Sequence, residues 1–264
     1  MKKLLIALGM VLLFCSSSQA AISWRATGTA VAGTANLTPA IPAGAVSGDM
    51  MICLYGTKPY SDAPTINQGW SDAGSATDGT VAAGNDVGSM QTRIFYKKHT
   101  GTESNPTITN TTNNVSGAVI IVFYNATTYW ATLVGAGGGD NTAGTAFSVT
   151  ASSDVGHIAG DMVVGGAMFR SDEATPTSAN GITIAGCTLG TYVKSPATDP
   201  ETTSGGDMGA TIGYIPVNSG TSTGAPVISC TLGANHTGSA FLVRLREAAA
   251  PPSGGVNNSL MLMG

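Results

Sequence analysis

The sequence predicts an all-β protein, and three observations predict it. Of its 264 residues only 10% are Asp, Glu, Lys or Arg, while 36 are Gly and 34 are Thr. A coiled coil or long-helix protein needs Glu, Lys, Leu and Ala instead, and soluble domains usually carry roughly a quarter charged residues. The apolar residues also alternate. Phe241, Val243 and Leu245 face one way against Leu242, Arg244 and Arg246, and Phe147, Val149 and Ala151 oppose Ser148 and Thr150. A period of two gives a strand one dry and one wet face. Finally, Gly, Asn, Asp and Pro interrupt the chain every eight to twelve residues or so, the spacing of sandwiches and barrels.

The first element is an address. Met1-Lys2-Lys3 is positive, Leu4 to Phe14 is apolar, and Ser18-Gln19-Ala20 puts small residues at −3 and −1 of a cleavage site. The run is shorter than the roughly 20 residues that span a bilayer. Residues 1–20 therefore read as a signal peptide cleaved after Ala20, which makes the protein secreted or displayed at the cell surface. The rival, lipoprotein processing at Cys15, is disfavoured by the bulky Phe14 before it. The chain carries 11 basic against 15 acidic residues, a net charge of −4. Loss of Lys2 and Lys3 makes it more acidic still, which argues against a nucleic-acid partner.

The rest reads as one pattern twice. Ala32-Gly33-Thr34-Ala35 recurs as Ala143-Gly144-Thr145-Ala146, and Gly48-Asp49-Met50 as Gly160-Asp161-Met162, each opening an apolar strand. Thr100-Gly101-Thr102 before Pro106-Thr107-Ile108 matches Ser219-Gly220-Thr221 before Pro226-Val227-Ile228. Ser116 to Ile121 aligns with Thr237 to Leu242, and Trp24 and Trp130 head the two copies. Gly117–Tyr124 and Met50–Tyr55 are apolar on both faces, as central strands are. Each copy has the size of a small β-sandwich. The expectation is two tandem sandwich units, 21–128 and 142–248, joined by a Gly-rich connection, 129–141, whose Gly135–Gly139 run reads as a hinge. The alternative is one larger jelly-roll sandwich built from both copies.

A Gly-Asp opening a strand, Pro64 followed by Gly69-Trp70, Phe95-Tyr96 before Thr-Gly, and a Ser-Gly-led apolar strand ending in Tyr resemble a widespread group of duplicated β-sandwich proteins of bacterial exteriors and phage tails. The resemblance implies exterior display and transfers no catalytic residue. The second copy departs from it at Gly181-Ile182 and Gly213-Tyr214.

Motifs of chemistry are scarce. There is no phosphate-cradling Gly-x-x-x-x-Gly-Lys. His99, His157 and His236 stand far apart, and Asp154-x-x-His157 is the one ligand-like pair. Calcium is the one cofactor considered, through the loop acids Asp62, Asp72, Asp78, Asp86, Asp140, Asp172, Glu173, Asp199 and Glu201; Asp also forms turns by itself. With aromatics at 6%, a glycosidase cleft is not expected.

Three binding features remain. Tyr60 and Trp70 lie in a Pro- and Gly-rich loop region where an exposed ring could stack on a sugar, unless Trp70 covers the core edge. Cys187 and Cys230, in Gly-Cys-Thr-Leu-Gly and Ser-Cys-Thr-Leu-Gly, are a possible disulfide, whereas Cys53 reads as a buried free thiol. The tail, 249–264, is a Pro- and Gly-rich linker ending in Leu260-Met261-Leu262-Met263, which could dock on a neighbouring subunit. The functional expectation is an exported, non-enzymatic structural or adhesive protein of a cell or virion exterior that self-associates or joins another surface protein. The alternative is a carbohydrate-binding module, with or without calcium.

Overall fold

A computed structural model describes residues 22–58, 63–78, 89–110, 115–170, 181–194 and 208–251. They form strands and connecting loops, with no helix among the described residues. The first half contributes β1 (Ser23–Thr27), β2 (Val31–Gly33), β3 (Met50–Lys58), β4 (Thr65–Ile66), β5 (Ser71–Thr77), β6 (Gln91–Lys98), β7 (Ile108–Thr109) and β8 (Val115–Tyr124). The second contributes β9 (Val134–Thr150), β10 (Met162–Phe169), β11 (Gly181–Thr183), β12 (Cys187–Leu189), β13 (Val193–Lys194), β14 (Gly209–Gly220) and β15 (Val227–Leu245).

Each half makes its own antiparallel sheet. The first has the order β1-β8-β3-β6-β5, with β2 also on β8; the second has β11-β15-β10-β14-β12, with β9 on β15 and β13 on β14. Their inner faces share one core. Ile52, Leu54, Ile94, Val119, Ile121 and Phe123 meet Val164, Met168, Ile212, Phe241, Val243 and Leu245. The outer faces are covered too. Leu37, Trp70 and Ile108 lie over Met51, Cys53, Phe95 and Ile120 of the first sheet. Phe147, Val149, Ile182 and Ile228 lie over Val163, Ala167 and Phe169 of the second. Double coverage explains why every residue of β3 and β10 is buried and why both read as unbroken apolar runs.

The two sheets pack face to face as a single sandwich, so the all-β sandwich class expected from the sequence holds, while neither the tandem nor the jelly-roll connection describes it. Tandem sandwiches would leave the inner face of each sheet bare, and only the other half buries it. Nor does the chain pass back and forth between sheets as in a jelly roll, since each half completes its own sheet.

A few local contacts are alike in the two halves. Gly48 N–H donates to His99 O at 2.9 Å and His99 N–H to Asp49 O at 2.8 Å; Gly160 N–H donates to Val217 O at 2.9 Å and Val217 N–H to Asp161 O at 2.9 Å. Gly48 and Gly160 take φ of 99° and 88°, where side chains are strained. The β4–β7 pairing of Ile66 with Ile108 has its counterpart in Ile182 with Ile228.

Gly135–Gly139 is not a hinge. It lies in β9, paired through Gly135–Val243 to Gly139–Ser239. The glycines are there because β9 crosses β5 closely. A Cβ on Gly139 would strike the Thr77 carbonyl and sit 2.6 Å from Asp78 Cα, and one on Gly137 would sit 2.9 Å from Ala76 Cβ. Among the described residues no helix is long and apolar enough to cross a membrane.

Candidate functional site

The Gly-Asp-Met signature is a structural device. Asp49 accepts the Val46 N–H at 2.9 Å and pairs with Arg25 Nε at 2.6 Å. Asp161 accepts the Ile158 N–H at 2.8 Å and pairs with Arg246 Nη2 at 2.6 Å. Each carboxylate closes the turn before its strand and ties it to an arginine, a charge-assisted bond that favours one geometry.

Beside the first of these turns lies an open groove of about 390 Å³. Tyr96, Lys97 and Lys98 of β6 form one wall, Tyr129 and Trp130 the other, and Met50 lies between. Trp130 Nε1 donates to Gly48 O at 2.8 Å, which fixes the indole. Tyr129 is 40% exposed, yet its backbone is pinned. Its carbonyl accepts from Asn125 Nδ2 at 2.8 Å and from Ala248 N–H at 3.0 Å. Lys98 Nζ sits 5.6 Å from the Tyr129 ring centroid, within cation–π range. Lys97 is neutralised, donating to Gln68 O at 2.6 Å and lying 3.6 Å from Glu103 Oε1. Burial works against the Glu103 charge, but the Thr100 hydroxyl and N–H, each donating at 2.8 Å, outweigh it and hold the carboxyl at about 2.

At the opposite end of the sandwich, charge is sealed inside. Arg170 Nε donates to Asp78 Oδ2 at 2.7 Å, Thr237 Oγ1 to the same oxygen at 3.1 Å, and Met90 N–H to Asp78 Oδ1 at 2.6 Å. Lys58 Nζ donates to Arg170 O. Lys58 and Asp78 come from the first half, Arg170 and Thr237 from the second. The sequence offered a faint signal for this cluster, since Lys58, Asp78 and Arg170 each stand at the end of a strand.

The expected site residues are placed differently. Trp70 is 8% exposed and packs in the outer core of the first sheet, so it presents no ring to a ligand. Tyr60 and the tail tip, Leu260, Met261, Leu262 and Met263, lie outside the described residues, as do residues 1–20. Cys187 and Cys230 are not bridged: both are free, as is Cys53. Cys187 sits on β12 beside β14, whereas Cys230 pairs with Phe147 of β9 on the far side of the sheet. Burial pushes the Cys230 thiol up to about 12 and the Cys53 thiol higher still.

The other described loop acids are also bonded to protein groups. Asp72 takes Arg93 Nη1 at 2.7 Å and the Gly74 N–H at 2.8 Å. Asp140 takes the Thr142 and Ser148 N–H groups, both at 3.0 Å. Asp154 takes the Ser222 hydroxyl at 2.7 Å, and His157 is wholly buried. Among the described residues no group of three or more His, Cys, Asp or Glu converges as metal ligands. Asp62, Asp86, Asp172, Glu173, Asp199 and Glu201 lie outside the described residues.

Comparison with known protein families, with curated proteins and with solved structures finds no match to the chain.

Proposed function

We propose that the chain is an exported, non-catalytic β-sandwich that works by display and adhesion on a cell or virion exterior. The observation that carries this reading is the use made of the described carboxylates. Asp49, Asp78, Asp154 and Asp161 each hold an arginine, a hydroxyl or a backbone N–H within 3.2 Å. General acid–base chemistry needs a carboxyl poised to exchange a proton with substrate, and these are spent on holding turns and sheets together. Two sheets covered on both faces and locked by a buried ion pair suit a rigid exterior component. The leader-like first twenty residues and the low surface charge support export.

The test is expression of the full chain with its own leader in a bacterial host, followed by fractionation and N-terminal mass analysis. The reading expects a product that begins at Ala21 outside the inner membrane and adheres to intact cells or assembles into particles above monomer mass. A product that retains residues 1–20 in the cytosol would overturn it.

A further inference from the structure

The two halves differ where the groove lies. Met50 pairs with Lys98 and Ile52 with Tyr96 across β3 and β6; Met162 pairs with Pro216 and Val164 with Tyr214 across β10 and β14. Both halves therefore place a Tyr opposite the third residue of the neighbouring strand, but Lys97 and Lys98 stand where the second half has Ile215 and Pro216. The tryptophans differ as well. Trp24 stacks on Tyr214, centroids 6.5 Å and planes 10° apart, and stays 39% exposed. At the corresponding place an open groove runs between Tyr96, Tyr129 and Trp130.

A second observation points to the same spot. Thr128, just before Tyr129, has φ of 58°. A β-branched residue avoids the left-handed region, and strain of this kind persists where the surroundings over-determine it and gathers at binding sites. Asn125 enforces it, its Oδ1 accepting the Thr128 N–H at 2.6 Å while its Nδ2 holds the Tyr129 carbonyl. The result is a large ring presented to water on a rigid support, the preorganisation that reduces the entropic cost of binding. Beside it Lys98 is exposed, its ammonium near the Tyr129 ring and in no ion pair among the described residues. The chain as a whole carries a net charge of −4, so the one exposed lysine here runs against the molecule's own sign.

We propose that the groove binds an acidic glycan. The C–H face of a pyranose stacks on Tyr129 and Trp130, and the sugar's carboxylate or sulfate meets Lys98. This rests on the adhesive side of the display reading and names the surface chemistry it would grip. Aromatic faces select the ring, and the lysine selects the charge.

The experiment titrates the mature full chain with oligogalacturonate, with its methyl ester (the same ring without charge), and with a chondroitin sulfate oligomer, following tryptophan fluorescence and heat. The acidic oligomers should bind about tenfold more tightly than the ester, a factor worth ~1.4 kcal/mol. Tyr129→Ala should weaken all three by about tenfold or more, as loss of a central aromatic contact does. Lys98→Gln should bring the acidic oligomers down to the ester and leave the ester unchanged. Preference for one acidic oligomer identifies carboxylate or sulfate as the group recognised. Both side chains are exposed, so unchanged melting temperatures will show that the variants fold. No binding of either acidic oligomer, equal binding by Tyr129→Ala, or an acid preference that survives Lys98→Gln overturns the proposal. Export and cleavage after Ala20 are measured separately, so failure here leaves the display reading standing.

Discussion

Asp78 and Arg170 form an ion pair at 2.7 Å with neither side chain exposed to water, and they come from opposite halves of the chain. Around them Thr237, Met90 and Lys58 supply further hydrogen bonds. A buried pair is weak evidence of net stability, because two charges have been stripped of solvent, but breaking one is costly. Its place between the sheets suggests a register device, since only one alignment of the two inner faces brings the carboxylate to the guanidinium.

Asp78→Ala should therefore destabilise by ~3–5 kcal/mol, the usual cost of leaving a buried charge without its partner. The double variant Asp78→Leu with Arg170→Met should lose much less than two single losses added together. Urea denaturation of the four proteins of this cycle measures the coupling, and additive losses would show that the pair is not a unit.

Gly139→Val should damage the fold although a glycine is being replaced in a strand. Its side chain would run into the backbone of Thr77 and Asp78, which cannot move as a flexible side chain can. Overpacking of this kind costs ~1–3 kcal/mol. Val at Gly69, where a Cβ meets nothing within 4 Å, pays instead for a φ of 70°; it should leave the contact of β5 with β9 intact. Thermal melts together with protection of β9 amides from hydrogen exchange separate the two effects.

His157 is wholly buried, and no hydrogen-bond partner reaches either ring nitrogen among the described residues. Burial lowers its affinity for a proton, opposed by Asp161 and Asp154 and aided by Arg244 and Arg246. The unfolded chain then takes up the proton first. Stability is full above about 6.5, the ordinary histidine value, and declines as pH falls below it. His157→Leu should flatten this stretch of the melting-temperature profile. Glu103 acts in a lower window: its carboxyl is held at about 2 against an ordinary 4.5, so its contribution persists above 4.5 and is lost between 4.5 and 2. A Glu103→Gln variant should be less stable than the parent above 4.5, and the difference should close as pH falls from 4.5 towards 2.

A chain lacking residues 1–20 should show three free thiols when unfolded and alkylated without reductant. In the native state Cys187, half-buried on β12, should react first, because burial keeps Cys53 and Cys230 protonated and the thiolate is the reactive form. A single alkylation after unfolding would mean that Cys187 and Cys230 are bridged after all.

The strands were legible because their chemistry is local. The alternation of Phe241, Val243 and Leu245 and the two-faced apolar runs at Met50 and Gly117 appear in the structure as β15, β3 and β8. What was not legible depends on contacts between distant residues. Gly135–Gly139 looks like a hinge by composition, and only the approach of Thr77 and Asp78 shows why a strand needs glycine there. For Trp70 the sequence left open a ring stacking on a ligand and a ring covering the core edge, and the structure has the second, with Leu37 and Ile108 packed beside it over the sheet. The groove escaped notice because Tyr96, Lys98 and Tyr129 become neighbours only when β6 is brought beside the loop after β8. Thr128's backbone angle has no counterpart in sequence at all.

The arrangement of both halves around one core is tested most directly by calorimetry of the mature chain. A shared core predicts a single transition, with calorimetric and van't Hoff enthalpies in a ratio of about one, and Asp78→Ala should shift all of it. Two transitions, only one of which moves with Asp78→Ala, would contradict a common core and restore two independent units.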